Sequence, residues 1–161
     1  ERSRVYGFHS EPILMLKELE TALALRLLPM QDEGYRVLGA PTDHQQVGRV
    51  FGKGEIRVAY QRRTYQNPSS KIERSRKTYP VRLTFEVVVE LQDVQMDTHV
   101  RAAQAMERIL DLLAGFLPEG HCGGGFYPVQ DGFVGRSKED ALWIYSAVFG
   151  INQFLTIRRT A

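Results

Sequence analysis

Residues 79–92 read YPVRLTFEVVVELQ, and this stretch organises the predictions for the rest of the chain. Apolar side chains occupy every second position from Val81 to Leu91, and polar side chains alternate with them except at Val88. Because successive side chains of a strand point to opposite faces, the pattern predicts a strand with one apolar and one largely polar face. At about 3.3 Å per residue the strand would be roughly 45 Å long, well beyond an ordinary strand. Such a strand needs neighbours to pair with and an apolar layer against its inner face.

The composition is typical of a globular protein with a core of its own. The chain has 161 residues, of which 43% are hydrophobic and 25% charged. No apolar run approaches the roughly 20 residues of a membrane span, and the first residues contain no apolar signal-peptide segment. The single cysteine, Cys122, cannot form an internal disulfide, which suits a reducing compartment. We interpret residues 1–10 as an arm that orders on contact or as a cloning remnant, and residues 11–161 as one domain.

Two amphipathic helices are predicted, one before and one after the long strand. The first begins at residues 10–12 (Ser-Glu-Pro), carries leucines at three- and four-residue spacing, and ends near Leu28 because Pro29 follows. The second begins after Asp97 and ends at Gly115. Its predicted apolar stripe consists of Val100, Ala103, Met106, Ile109, Leu110 and Leu113. We expect the core to contain Phe85, Val87 and Val89 under Leu16, Leu19, Leu23, Ile109 and Leu113.

Five further strands are predicted from shorter alternating or apolar runs. They are residues 35–38, 55–60, 126–129 and 132–134, and a last strand that begins near residue 141. Gln130 and Asp131 are interpreted as the turn between the strands at 126–129 and 132–134. The element order is α-β-β-β-α-β-β-β. This order predicts the α+β class, a single two-layer domain with two main helices packed on one face of an antiparallel or mixed sheet.

A basic segment joins the second predicted strand to the long strand. Residues 57–77 contain seven basic side chains and one acid, Glu73. The loop at 61–78, about 18 residues long, exceeds what a hairpin connection requires, and long loops in compact domains are usually functional or disordered. Two interpretations remain open, a contact surface for an acidic partner or phosphate and a solvated connector. If the loop is a contact surface, it brings five cations together: Arg62, Arg63, Arg74, Arg76 and Lys77.

No sequence motif supports an enzymatic reaction. His121 and Cys122 precede three glycines, and a Cys–His pair can act as nucleophile and base. Adjacent side chains diverge, however, and a glycine turn after a helix is the simpler interpretation. The four histidines lack the spacing of metal ligands, and no phosphate-binding glycine loop is present. We therefore expect a protein without enzymatic activity, metal or cofactor.

The last strand is apolar on both of its faces. Trp143 and Tyr145 share one face with Phe149, whereas Leu142, Ile144 and Val148 share the other. If the helices cover one set, the other set must also be covered, because a large apolar patch rarely stays exposed. We expect Trp143 and Tyr145 to lie opposite the helices and to meet a neighbouring subunit or the N-terminal arm.

Several strings resemble the tail terminator, or tail-completion, proteins of Mu-like contractile-tailed bacteriophages. They are the opening amphipathic helix, the long strand YPVRLTFEVVVEL, the helix RAAQAMERILDLLAGF, the DGFVG segment at 131–135 and the closing LWIYSAVFGI strand. The resemblance spans about Ile13 to Arg158. The chain departs from the family in its long basic loop and in its N-terminal arm.

The resemblance implies a structural virion protein, an α+β domain that forms a ring, expected to be hexameric, on the end of the tail tube. Such a ring stops tube polymerisation and offers a joining surface for the head. The implied partners are further copies of the chain, the tail tube protein, a head–tail connector or sheath protein, and DNA that passes without sequence-specific binding; no membrane is expected. The implied location is the virion tail, assembled in the host cytoplasm, of a phage or a related injection particle. The expected contact residues are Arg62, Arg63, Arg74, Arg76, Lys77, Trp143 and Tyr145.

A nucleic-acid-binding module is the second hypothesis. The basic loop at 61–78 would then supply charge and, through Tyr65, a stacking surface. The net charge of only +2 and the lack of a recognition-helix pattern disfavour this hypothesis. A third hypothesis, a small hydrolase built on His121 and Cys122, lacks the nucleophile motif of such enzymes.

Overall fold

The structure, a computed structural model, describes residues 15–39, 52–67, 78–92, 97–139 and 141–156. The described helices are α1 (Leu16–Arg26), α2 (Pro29–Asp32) and α3 (Thr98–Leu113). The described strands are β1 (Tyr35–Leu38), β2 (Gly54–Tyr65), β3 (Thr78–Gln92), β4 (Tyr127–Ser137) and β5 (Leu142–Thr156). They form one sheet in the order β1-β2-β3-β5-β4. The predicted α+β class, helices with a mixed sheet, is confirmed.

Strand β3 lies at the centre of the sheet and is paired on both sides. It is 15 residues long and runs antiparallel to β2 and to β5. Strand β1 pairs in parallel with β2 at one edge, and β4 pairs antiparallel with β5 at the other. The alternating stretch at 79–92 therefore forms the long strand predicted from it, with neighbours on both sides.

Helices α1 and α3 pack on the same side of the sheet, which we term the helix face; the opposite side is the outer face. On the helix face Phe85, Val87 and Val89 of β3 are 0% exposed. They belong to one core cluster with fully buried residues of both helices, Leu19, Leu23, Ile109 and Leu113, while Leu16 packs against it partly buried. The predicted core is confirmed, because the period of the strand and the period of each helix direct these side chains into the same layer.

Helix α3 is rotated relative to its predicted apolar stripe. Val100 and Ala103 are exposed, so the prediction is wrong for these two residues. The buried side of the helix consists of Thr98, Ala102, Ala105, Met106, Ile109, Leu112 and Leu113. Small alanine side chains at the start of the helix make the buried side hard to recognise from hydrophobicity. The helix ends at Leu113, and Gly115 follows with φ 79°, a left-handed conformation that favours glycine.

Pro29 begins a helix as well as ending one. Helix α1 ends at Arg26, and Pro29 lies in the first turn of α2, where a missing N–H costs no hydrogen bond. The short helix leads directly into β1 and contributes Met30 to the core. The predicted start of the first helix at residues 10–12 and the arm at 1–10 lie outside the described residues.

Strand β2 continues to Tyr65, beyond its predicted end at Tyr60. A β-bulge between Tyr60 and Arg62 shifts its register against β3. The backbone N–H of Tyr60 donates to Oε1 of Glu20 on α1 at 2.7 Å, so a helix carboxylate serves as its acceptor at the bulge. Residues 61–65 of the predicted loop are therefore strand, whereas 68–77 lie outside the described residues.

Strand β4 replaces the two short strands predicted between residues 126 and 134. Gln130 and Asp131, predicted as a turn, pair with Val148 and Ala147 of β5. Bulges at Val129 and Val134 interrupt the regular alternation, which is why the segment does not read as one strand. The described order is accordingly α-α-β-β-β-α-β-β, with five strands instead of six.

Candidate assembly surfaces

The outer face of the sheet carries an apolar group that no described helix covers. The group consists of Val88 on β3 and of Leu142, Ile144 and Val148 on β5. Val148 is 3% exposed, and the other three side chains are partly buried. A second layer of the kind that covers the helix face is missing from the described residues. The apolar group is therefore a candidate contact with another chain.

Charged side chains border the apolar group on β1, β2 and β3. Arg57 Nη2 lies 3.5 Å from Glu55 Oε2 and 3.7 Å from Glu90 Oε2. Arg36 Nη1 lies 3.8 Å from Glu55 Oε1. Because these side chains are partly exposed, the ion pairs contribute little to the free energy of unfolding. The ion pairs form a polar border of nearly balanced charge beside the apolar group.

A cluster of aromatic rings fills the β4–β5 end of the helix face. The ring centroids of His99 and Trp143 are 4.3 Å apart and the rings meet edge to face. The Phe133 centroid lies 5.5 Å from that of Trp143 and 5.3 Å from that of Tyr145. The guanidinium carbon of Arg136 lies 5.4 Å from the centroid of Trp143. Tyr145 is 9% exposed but Phe133 is 55% exposed, so the cluster continues from the core to the surface at β4.

The phenol of Tyr145 makes the free energy of unfolding depend on pH. Its oxygen lies 2.8 Å from Nδ1 of His99, and burial raises the pKa of the phenol above its ordinary value. The folded state therefore holds this proton more tightly than the unfolded state. The resulting stabilisation is complete below the ordinary tyrosine pKa and is lost as the pH rises through the raised pKa.

We expect the Tyr145→Phe variant to lose less stability than the wild type between about pH 9 and pH 11. Urea unfolding at the two pH values measures the difference. Burial also raises the pKa of Tyr35, against the opposing charge of Arg101, so part of the wild-type loss remains in the variant. A Tyr65→Phe variant removes an exposed phenol and serves as the control. Equal losses in both variants would contradict the prediction.

The structure corrects the predicted position of Trp143 and Tyr145. In the β3–β5 register Trp143 lies opposite Leu91 and Tyr145 opposite Val89, and both β3 side chains are fully buried on the helix face. The prediction that these aromatic residues lie opposite the helices is wrong. Helix α3 begins at Thr98, early enough to cover this end of the sheet with His99. The set left on the outer face is the other one: Leu142, Ile144 and Val148.

The predicted cluster of five cations is also corrected where it is described. Arg62 and Arg63 are successive residues of β2, opposite Thr84 and Leu83 of β3, so they point to opposite faces of the sheet. The expectation that the cations lie together is wrong for this pair. The three others, Arg74, Arg76 and Lys77, lie outside the described residues. The nucleic-acid hypothesis, which needs these side chains on one surface, gains no support from the described part.

His121 anchors the glycine turn and does not pair with Cys122. It is buried, and its Nε2 lies 3.2 Å from the backbone oxygen of Asn152, so that nitrogen donates. The Tyr127 hydroxyl donates to Oδ1 of the same Asn152 at 3.1 Å. Cys122 is exposed. This arrangement holds the turn against the end of β5, and it gives the hydrolase hypothesis no support.

No group of three or more His, Cys, Asp or Glu side chains within the described ranges is arranged to hold a metal ion. Of the helices placed by the structure, none is long and apolar enough to cross a membrane.

Sequence reasoning found β4 only in part. Phe133 lies in the predicted strand at 132–134, but Asp131 is predicted as part of a turn and Arg136 belongs to no predicted strand. In the structure Asp131, Phe133 and Arg136 share one face of β4, but this mixture of polar and apolar side chains, with a bulge at Val134, gives no alternating pattern in the sequence at 129–137. A bulge of this kind is not visible in the local sequence pattern.

Comparison of the sequence with models of protein families finds no matching family, and comparison with curated proteins finds no match.

Proposed function

We propose that the protein is a structural assembly protein that caps the tail tube of a phage, or of a related contractile injection particle, as a ring of identical subunits. The observation that carries the proposal is the apolar group on the outer face, in which Val88, Leu142 and Ile144 are only partly buried and which has no helix layer in the described part of the chain. A second copy of the chain supplies such a layer. The resemblance to tail terminators supplies the class of assembly and the expected number of six subunits.

The chemistry of the outer face suits a protein partner better than a small ligand. Small-molecule sites are concave and mostly enclosed, whereas this surface is one side of an open five-stranded sheet. Its apolar centre and its border of Arg57, Glu55 and Glu90 match the apolar core and polar rim of protein interfaces. Balanced charges in the rim favour a specific orientation without attracting nucleic acid.

Closure into a ring requires a heterologous contact, in which the outer face of one subunit meets a different surface of the next. The ring then stops tube growth by covering the last layer of tube subunits, and its far side is free to meet a head–tail connector or sheath protein. In this proposal DNA passes through the ring without sequence-specific contacts. The location that follows is the tail of the particle.

We expect the purified protein to form a hexamer of about 110 kDa, six times the 18.4 kDa of one chain. The Val88→Arg variant should not form the ring at concentrations where the wild type does, because a charge replaces an apolar side chain of the group. On the same face Glu86 and Glu90 of β3 attract the new charge, whereas Arg57, directly opposite on β2, repels it, so the melting temperature must show that the variant is folded. Light scattering and the melting temperature measure the two effects.

The Val100→Arg variant places the same charge on an exposed position of α3 and is the matched control, expected to form the ring. The biological readout is tail length in electron micrographs of particles assembled with and without the protein. We expect tails of uncontrolled length without it and with Val88→Arg. A monomer at every concentration, together with tails of normal length in its absence, would overturn the proposal.

A further inference from the structure

We propose that two copies of the chain join edge to edge through β4, antiparallel, about a two-fold axis between Phe133 and Val134. The joined sheets form one continuous sheet across the two copies. This contact uses a different surface from the outer face, and the inference does not depend on the proposed ring.

Strand β4 presents a long edge for pairing. In the described sheet it pairs with β5 on one side alone. It is 11 residues long, and its side chains from Pro128 to Val134 are all exposed, including those of Val129 and Phe133. The backbone N–H and C=O groups along such an edge are a template for another strand.

The sequence of β4 is complementary to itself in the antiparallel direction. Residues 131–136 read DGFVGR. When two copies of this run are aligned antiparallel about its centre, Asp131 faces Arg136 of the second copy, glycine faces glycine, and Phe133 faces Val134. Because the contact is two-fold, each of these pairs occurs twice. Directly opposed side chains have Cβ atoms about 4.5–5.5 Å apart, which an aspartate and an arginine bridge easily.

The bulge at Val134 is what allows this register. Asp131 and Arg136 are five positions apart, so in a regular strand they would point to opposite faces. In β4 they lie opposite Ala147 and Trp143 of β5, which share the helix face. The extra residue of the bulge has shifted the alternation by one. Both members of each ion pair therefore lie on the same face of the joined sheet.

The glycines of β4 lie opposite one another on the outer face of the joined sheet. Gly132 and Gly135 lie opposite Ser146 and Ile144 of β5, so both belong to the outer face. A Cβ added at either glycine meets no atom within 4 Å. Packing within the chain therefore does not require glycine at either position, whereas the φ of 159° at Gly132 does favour it. Opposed glycines let the two backbones approach without obstruction on that face.

The centre of the contact is apolar, and this favours a second copy of the chain as the partner of β4. Phe133 packs on Trp143 and Tyr145 of its own chain and is still more than half exposed. In this register Val134 of the second copy lies opposite Phe133, an aromatic and β-branched pair of the kind that stabilises neighbouring strands. Edge charges of a single sign would repel a second copy. Strand β4 instead carries one charge of each sign in the order that pairs with itself.

Charge reversal tests the proposal, with the dimer dissociation constant measured by analytical ultracentrifugation. Asp131→Arg and Arg136→Asp each place like charges opposite one another at both ends of the contact. Each single variant should raise the dissociation constant at least about ten-fold, because two exposed attractions become repulsions. An equimolar mixture of the two variants should form a heterodimer of wild-type strength. The Asp131→Arg/Arg136→Asp double variant should recover the homodimer.

The control is Glu107→Arg, which makes the same change of charge on the exposed side of α3 and should leave the dissociation constant unchanged. Melting temperatures confirm that each variant is folded. A wild-type protein that forms no dimer would overturn the proposal. So would single variants whose dimer is as strong as that of the wild type, or whose weakened dimer is not restored by mixing. The Val88→Arg variant keeps β4 intact, so loss of the ring with retention of the dimer separates the two proposals.

Discussion

Replacing Phe85 by alanine is expected to lower the free energy of unfolding by about 3–5 kcal/mol. Phe85 has no exposed surface, and its ring meets those of Tyr60 and Phe126 edge to face, with centroids 5.8 Å apart in each case. Tyr60 is on β2 and Phe126 directly precedes β4, so the three rings connect distant parts of the chain through the centre of the core. The cavity left by the substitution cannot be filled by any one flexible segment.

Denaturant unfolding of Phe85→Ala and of a matched variant measures this loss. The matched variant is Phe154→Ala, which removes the same ring from an exposed position near the end of β5 and should change the free energy by at most about 0.5 kcal/mol. A loss below about 1 kcal/mol for Phe85→Ala would mean that the ring does not fill the core.

The sequence predicts the centre of the fold correctly because the pattern there is long and uniform. The run from Val81 to Leu91 keeps a period of two, and the leucines of α1 keep a helical spacing, so each side chain has one possible face. Those two patterns suffice to predict the core around Phe85, and the structure confirms it. The α+β class follows from the order of such segments.

The local sequence pattern does not indicate how β5 is oriented relative to the helices. Strand β5 is apolar on both faces, so its sequence cannot tell which face the helices cover. The register against β3 decides this, because Trp143 lies opposite Leu91 and must share its face. Information from a distant strand therefore corrects the prediction for Trp143 and Tyr145 and moves the candidate contact to Ile144 and its neighbours.

Bulges are the second source of error, and they lie next to both candidate surfaces. One bulge, between Tyr60 and Arg62, interrupts the alternation of β2 where the residues predicted as loop begin. Two more bulges interrupt the alternation of β4. A bulge inserts one residue and reverses the inward–outward alternation of the side chains beyond it. The sequence of one continuous strand then resembles that of two short strands joined by a turn. The same device places Asp131 and Arg136 on one face, which no period-two analysis predicts.

The second large effect is expected from Gly54→Ala. Gly54 begins β2 and pairs with Tyr35 of β1 and with Leu91 of β3, so three strands meet at this residue. Its φ of 154° lies in a region that residues with a Cβ rarely adopt. A Cβ added there would clash with the backbone oxygen of Glu90 and lie 3.2 Å from Cα of Leu91. These are backbone atoms of the central strand, which no rotamer change can move aside.

The chain must therefore either strain the backbone at residue 54 or separate β2 from β3, and we expect Gly54→Ala to cost about 3 kcal/mol or more. Hydrogen exchange distinguishes the two responses, because separation exposes the amides of β1 and of the first residues of β2 while those at the β3–β5 pairing stay protected. Gly52→Ala is the matched control, since a Cβ at Gly52 meets no atom within 4 Å, and it should change the free energy by at most about 0.5 kcal/mol. Equal stability of the two variants would show that β2 does not approach β3 this closely at Gly54, and the β1–β2 edge of the sheet would then need a different register.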